Sequence, residues 1–143
     1  MLHEKSAGAV IFNVEGANVE YLVLEYLHKG WEFARGAIET GESELDAAQR
    51  EIEEETGLKD LRYYEKFREI NSWFYNNSQE KTVHKEAIFF LAKSPSQDVK
   101  LSQEHTEYRW LPFREAHSQL TFTKSKMILT QAHHFIEKNQ LNS

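Results

Sequence analysis

The chain has no cysteine among its 143 residues, only two prolines and six glycines. Without cysteine it forms no disulfide and no thiolate metal site, so any metal must be held by oxygen or imidazole. No stretch approaches the ~20 consecutive apolar residues that span a bilayer. The start, MLHEKSAGAVIF, has no apolar run behind a basic one of the kind that marks an export signal. A soluble, untargeted protein of the cytoplasm with no membrane partner is therefore expected. Basic residues are also sparse, 17 Lys and Arg against 23 Asp and Glu, and they form no stripe, which argues against a duplex nucleic-acid partner. Repeats, low-complexity tracts and linkers are absent, and Pro95 and Pro112 stand singly between patterned segments. One domain over residues 1–143 is expected, long enough to bury a core unaided.

What is present is a mixture of strand and helix patterns. β-Branched and aromatic residues are dense over Ser6–Asn13, Glu20–Tyr26, Leu61–Tyr75 and Val83–Lys93, with a short Tyr108–Leu111, and these read as strands. Ser43–Thr56, Phe113–Gln119 and Lys124–Lys138 read as helices, the last with Met127, Ile128, Ala132, Phe135 and Ile136 at helical spacing as its core stripe. Strands mixed with helices that lie between and after them imply an α/β (α+β) layered sandwich, a sheet covered on both faces.

The charge is unevenly distributed. Between Glu39 and Glu55 stand eight acidic residues (Glu39, Glu42, Glu44, Asp46, Glu51, Glu53, Glu54, Glu55) against one base, Arg50, a local net charge of −7. The whole chain is −6, so everything outside that window sums to +1. Ser43 is placed to cap the helix, with Asp46 three residues on, and Gly57 stands where a left-handed residue would end it. At 100° per residue, Leu45, Ala48 and Ile52 share the core face. Glu51, Glu54 and Glu55 share the neighbouring stripe, with Arg50 and Glu53 off it. Like charges three and four apart on a helix cost roughly 0.2–0.5 kcal/mol per pair when solvated, and more when partly buried. A hard divalent cation reverses that sign, so the stripe reads as a Mg²⁺ or Mn²⁺ site.

Gly36, five residues, Glu42, seven residues and then Arg50-Glu51-Ile52-Glu53-Glu54-Glu55-Thr56-Gly57-Leu58 resemble the Nudix box at every fixed and aliphatic position. The resemblance implies the Nudix fold, an α/β/α sandwich with a mixed central sheet. It also implies metal-dependent hydrolysis of a phosphoanhydride in a nucleoside diphosphate linked to a further group. By the same resemblance Glu51, Glu55 and the Gly36 carbonyl would bind metal, and Glu54 would be a further ligand or the base that takes the water proton. Arg50 would orient a neighbouring glutamate, and Glu42 would support the loop.

Three flanking stretches, WEFARG (Trp31–Gly36), KTVHKEAIFFLA (Lys81–Ala92) and LSQEHTEYRWL (Leu101–Leu111), are similar in order and spacing to the asymmetrical diadenosine tetraphosphate hydrolases. That family splits diadenosine tetraphosphate into ATP and AMP. Carried over, Lys81 would contact phosphate, Glu104 would be another metal ligand or an alternative base, and Tyr75 and Phe122 would sandwich an adenine. Strand alternation makes Trp73 as good a same-face candidate as Tyr75, with Phe74 on the opposite face. Where that family usually has Pro-Lys-Gly-His, this chain has Ala34-Arg35-Gly36-Ala37. Arg35 keeps the charge and adds a fork suited to phosphate, while Ala37 removes an imidazole. The alternatives are another Nudix pyrophosphohydrolase, acting on a modified nucleoside triphosphate, ADP-ribose or a 5′-triphosphate RNA end, or a nucleotide-binding module without turnover.

Overall fold

The computed structural model describes all 143 residues. In chain order the elements are β1 (Leu2–Glu15), β2 (Asn18–Tyr26), β3 (Gly30–Glu32), β4 (Ala34–Ala37), α1 (Glu44–Thr56), β5 (Arg62–Asn76), β6 (Thr82–Lys93), β7 (His105–Leu111), α2 (Phe113–Gln119) and α3 (Thr123–Lys138). The seven strands form one sheet with the path β3-β2-β1-β6-β5, β4 added to β1 and β7 to β2. Only β1 and β6 run parallel, so the sheet is mixed, as expected. No helix is long and apolar enough to cross a membrane.

The apolar run of β6 is explained by burial on two sides. Ala87, Phe89 and Leu91 join Phe12, Tyr21, Phe33 and residues of α2 and α3 in one core. Ile88, Phe90 and Ala92 join Leu22, Leu24, Ala34 and the α1 residues Ala47, Ala48 and Ile52 in the other. The sheet is thus filled between α1 on one face and α2 with α3 on the other, the expected α/β/α sandwich. The expected α3 stripe holds at Ile128, Ala132 and Ile136, which are buried, and at Phe135, which packs against the same core, while Met127 is exposed and Ser125 and Leu129 are buried as well. Ser125 has a polar reason to be inside: its Oγ donates to the buried Glu32 carboxylate at 2.7 Å.

What positions the site is a wedge in the sheet. β1 and β2 pair only from Phe12↔Tyr21 to Glu15↔Asn18 and then separate. β4 fills the gap beside β1, at Ser6↔Ala37 to Ala9↔Ala34, and β3 fills it beside β2, at Leu24↔Glu32 to Tyr26↔Gly30. The segment WEFARG, not expected as strand, is drawn into extended conformation by these two long neighbours. α1 then starts at Ser43, whose Oγ accepts from Asp46 N at 3.0 Å. It ends at Gly57, with φ 72°, where a Cβ would be strained.

Candidate active site

The wedge brings the backbone of β4 against the acidic stripe of α1. A Cβ built on Gly36 would lie 2.0 Å from Oε2 of Glu51, so the carboxylate occupies the place where any side chain at position 36 would go. One turn further along, Glu55 is 3% exposed. Its Oε1 accepts from Arg35 N–H at 3.1 Å and lies 3.4 Å from the Tyr26 hydroxyl. That hydroxyl has a single proton, and the closer Phe33 carbonyl, at 3.0 Å, takes it. Burial pushes the Glu55 carboxyl up to about 8, and the neighbouring charges of Glu51 and Glu104 add to the effect. Burial also raises Glu51, offset by Arg50 and reinforced by Glu54 and Glu104. Glu51, Glu54, Glu55 and Glu104 therefore form one electrostatic group.

Glu53 lies off the stripe as expected, on the surface with Lys59 at 3.7 Å and near enough to Tyr63 to act on its hydroxyl. Arg50, off the stripe by helical phase but expected from the resemblance to orient a neighbouring glutamate, reaches back across it. Its Nε and Nη2 grip Glu42 at 2.7 and 2.9 Å, its Nη1 donates to Glu51 at 2.8 Å, and Nη2 also donates to the Ala37 carbonyl at 2.9 Å. The Arg50 fork, helped by the Glu39 N–H, brings Glu42 down to about 2. One guanidinium thus ties the loop before α1 to the helix and holds Glu51 in place. Glu54, with 59% of its side chain exposed, is held only by Arg50 contacts of 3.4 and 3.5 Å.

Glu104 belongs to the loop ahead of β7, which is fastened to the end of α1. Lys100 N–H donates to the Thr56 carbonyl at 2.8 Å and Ser102 N–H to the Glu55 carbonyl at 3.1 Å. On the other side of β4 the charge changes sign. The Arg35 guanidinium stands 5.8 Å from the Tyr26 ring centroid and 5.7 Å from that of Trp73. Lys85, paired across the strands with Trp73, is held below the usual lysine range by burial and by the charges of Arg35 and Lys29. Lys85 escaped the sequence reading; its one signal, a cross-strand register with Trp73, is visible only in the folded sheet. Lys81, the expected phosphate contact, lies in the exposed turn between β5 and β6, its backbone N–H held by Asn77 Oδ1 at 3.0 Å.

Of the aromatic candidates, Trp73 packs against the core beneath Arg35. Tyr75 is partly exposed, its hydroxyl donating to Glu4. Phe74 stacks on His84. Phe122, 46% exposed, precedes the first turn of α3. It follows Thr121, whose Oγ accepts from Trp31 N–H at 2.8 Å, so the start of α3 is stitched to β3.

No three His, Asp or Glu side chains form a ready-made cation cage. The donor chemistry nevertheless fits a hard divalent ion: crowded carboxylates beside the Gly36 backbone, one of them kept protonated near neutrality by burial and like charge, are what such an ion would ionise and neutralise.

The NUDIX domain family matches residues 2–131. The rat protein bis(5′-nucleosyl)-tetraphosphatase [asymmetrical] is 34% identical over 146 aligned residues, covering 92% of this chain and 95% of the rat one. An RNA pyrophosphohydrolase of Bartonella quintana is 34% identical over 88 residues, 57% of this chain and 49% of its own. Among solved structures, a Caenorhabditis elegans Ap4A hydrolase binary complex superposes with a TM-score of 0.82 at 28% identity, covering 94% of this chain and 98% of that one.

Proposed function

The chain belongs to the NUDIX family, and from that premise we propose that this hydrolase splits diadenosine tetraphosphate into ATP and AMP with Mg²⁺ or Mn²⁺, its 143 residues acting as one catalytic unit. NUDIX hydrolases generally need divalent metal ions. The observation that carries the reading is the juxtaposition across β4: carboxylates packed on Gly36 on one side, and Arg35 with Lys85 beside Trp73 on the other. An anionic chain lying over the wedge would meet cationic side chains along one stretch and an acidic, cation-seeking group along the next.

Glu51, Glu55 and the Gly36 carbonyl would hold the cation, with Glu104 completing the set. When bound, the cation neutralises phosphate oxygens and lowers the pKa of a coordinated water. The roles of the glutamates follow from their surroundings. Glu55 is buried and already hydrogen-bonded, which suits a fixed ligand. Glu54 is solvent-facing and loosely held, which suits a base that must take a proton from water and release it. Arg50 orients Glu51 through its 2.8 Å bond, and Arg35 and Lys85 screen the phosphates. Tyr75 or Trp73 on β5 and Phe122 at the head of α3 supply stacking surfaces for adenine, where one base stack is worth ~1–3 kcal/mol.

A panel of nucleotides with each metal, products resolved by chromatography, tests the reading. ATP and AMP from diadenosine tetraphosphate are expected. Two ADP molecules would refute asymmetric attack, and preference for ADP-ribose, a modified nucleoside triphosphate or 5′-triphosphate RNA would move the chain to another branch of the family.

A further inference from the structure

His105 opens β7 with its side chain wholly buried, and its Nε2 has no hydrogen-bond partner. Buried polar atoms are almost always satisfied, so an orphan beside a functional group calls for an explanation. The ring is fixed from two sides. Its Nδ1 lies 3.1 Å from Ser102 Oγ, and the ring packs edge-to-face with Tyr26, centroids 4.3 Å apart. Ser102 Oγ accepts the Glu104 N–H at 3.4 Å and has one proton of its own, and in the arrangement inferred here that proton goes to Nδ1. Nε2 then carries the ring hydrogen. That hydrogen faces Oε1 of Glu55 across 3.9 Å, beyond hydrogen-bonding range.

The surroundings of Glu55 are one-sided. Arg35 N–H donates to Oε1, His105 Nε2 lies 3.9 Å from the same oxygen, and no hydrogen bond reaches Oε2. We propose that His105 is a positioning residue whose Nε2–H closes onto Oε1 of Glu55 when a divalent cation engages that carboxylate, leaving Oε2 as the oxygen that meets the ion. Ser102 sets the tautomer and, through its own backbone N–H on the Glu55 carbonyl, joins the two carboxylate-bearing segments. The proposal deepens the cation site described above and rests on that reading. It requires no titration of the imidazole, because Nε2 bears a hydrogen in the neutral ring described here and in the charged one.

Binding of Mn²⁺, followed without substrate by the electron paramagnetic signal of the free ion, tests it. His105→Phe keeps an aromatic ring against Tyr26 but has no donor, and Mn²⁺ affinity is expected to fall about 10–100-fold, the usual effect of losing a partner behind a metal ligand. His105→Gln returns an amide N–H and is expected to recover most of that loss. Equal affinity of wild type and a folded His105→Phe, or equal weakening by both variants, would overturn the proposal. Should His105→Phe not fold, Ser102→Ala gives the same reading through the tautomer, and unchanged affinity there would also overturn it. In nitrogen-labelled wild type, His105 is expected as the Nε2–H tautomer, its proton signal moving downfield on addition of Mg²⁺. An Nδ1–H tautomer overturns the geometry. Wild type that binds no Mn²⁺ refutes the cation site itself, whereas binding that ignores His105 refutes only this inference.

Discussion

Replacing Glu55 by glutamine should strengthen the metal-free fold at neutral pH while abolishing its response to cations. The carboxyl is 3% exposed and is moved by burial from its ordinary 4.5 up to about 8. A carboxyl whose pKa is raised by folding favours the folded state fully below the unfolded value, and that advantage is lost as pH rises through the folded one. Between the two values the unfolded chain releases its proton and the folded chain keeps it. Each pH unit then costs about 1.4 kcal/mol of stability, or about 3 kcal/mol by pH 7, levelling off above about pH 8. Glutamine has nearly the same shape, can still accept the Arg35 N–H, and carries no charge at any pH.

Thermal melts of chelator-treated wild type and Glu55→Gln from about pH 4 to pH 9 measure the effect. The two should nearly coincide at the acid end and separate as pH rises, reaching roughly 6–12 °C at neutrality for a chain of this size. With Mg²⁺ or Mn²⁺ the order should reverse or close, because only the wild type gains a ligand-linked term. A variant less stable than wild type at pH 7 without metal, or a gap independent of pH, would refute the reasoning. A carboxylate that weakens the empty fold in order to bind a cation is the expected form of a trade between stability and function.

Turnover should cease in excess chelator with metal shown to be stripped, and wild type should gain about 2.7 kcal/mol at a cation concentration one hundred times Kd. Glu54→Gln should cut kcat severely while Glu53→Gln changes it little, since Glu53 lies off the stripe on the surface with Lys59; equal losses in a steady-state assay would discard the assigned stripe. Lys85→Met should lower kcat/KM for diadenosine tetraphosphate far more than Lys81→Met, and the opposite order would show that the turn lysine, not the strand lysine, meets phosphate. Phe122→Ala should cost the 1–3 kcal/mol of one stack, about 5–150-fold in kcat/KM; no change would remove Phe122 from the base site.

The parts legible in the sequence were those decided locally. α1 could be bounded because Ser43, Asp46 and Gly57 act within one turn of its ends, and its apolar phase follows from spacing alone. Its acidic stripe was readable for the same reason, and so was the box that it carries. β3 and β4 were not, because three and four residues are too few to show alternation. Their extended form comes from partners outside either strand's own pattern, for β4 the remote Ser6–Ala9 and for β3 the adjacent hairpin arm Leu24–Tyr26.

Side-chain reach accounts for the rest. Helical phase places Cα atoms and puts that of Arg50 off the stripe, yet its long stem brings the guanidinium to Glu42 and Glu51, the orienting contact that only the family resemblance implied. The same limit applies to α3, where Ser125 is buried with its hydroxyl on Glu32 while Met127 is exposed. In both cases the side chain meets a polar partner outside the element, and periodicity contains no term for that partner. The consequence for the site is specific. The residues that periodicity can find, Glu51, Glu54 and Glu55, are those that would touch the cation. Of the residues that hold or complement them, Arg50 bonds Glu51 from within the same helix, His105 comes within 3.9 Å of Glu55 from β7, and Lys85 stands with Arg35 on the far side of β4, so the last two are placed by the folded sheet and not by spacing along the chain.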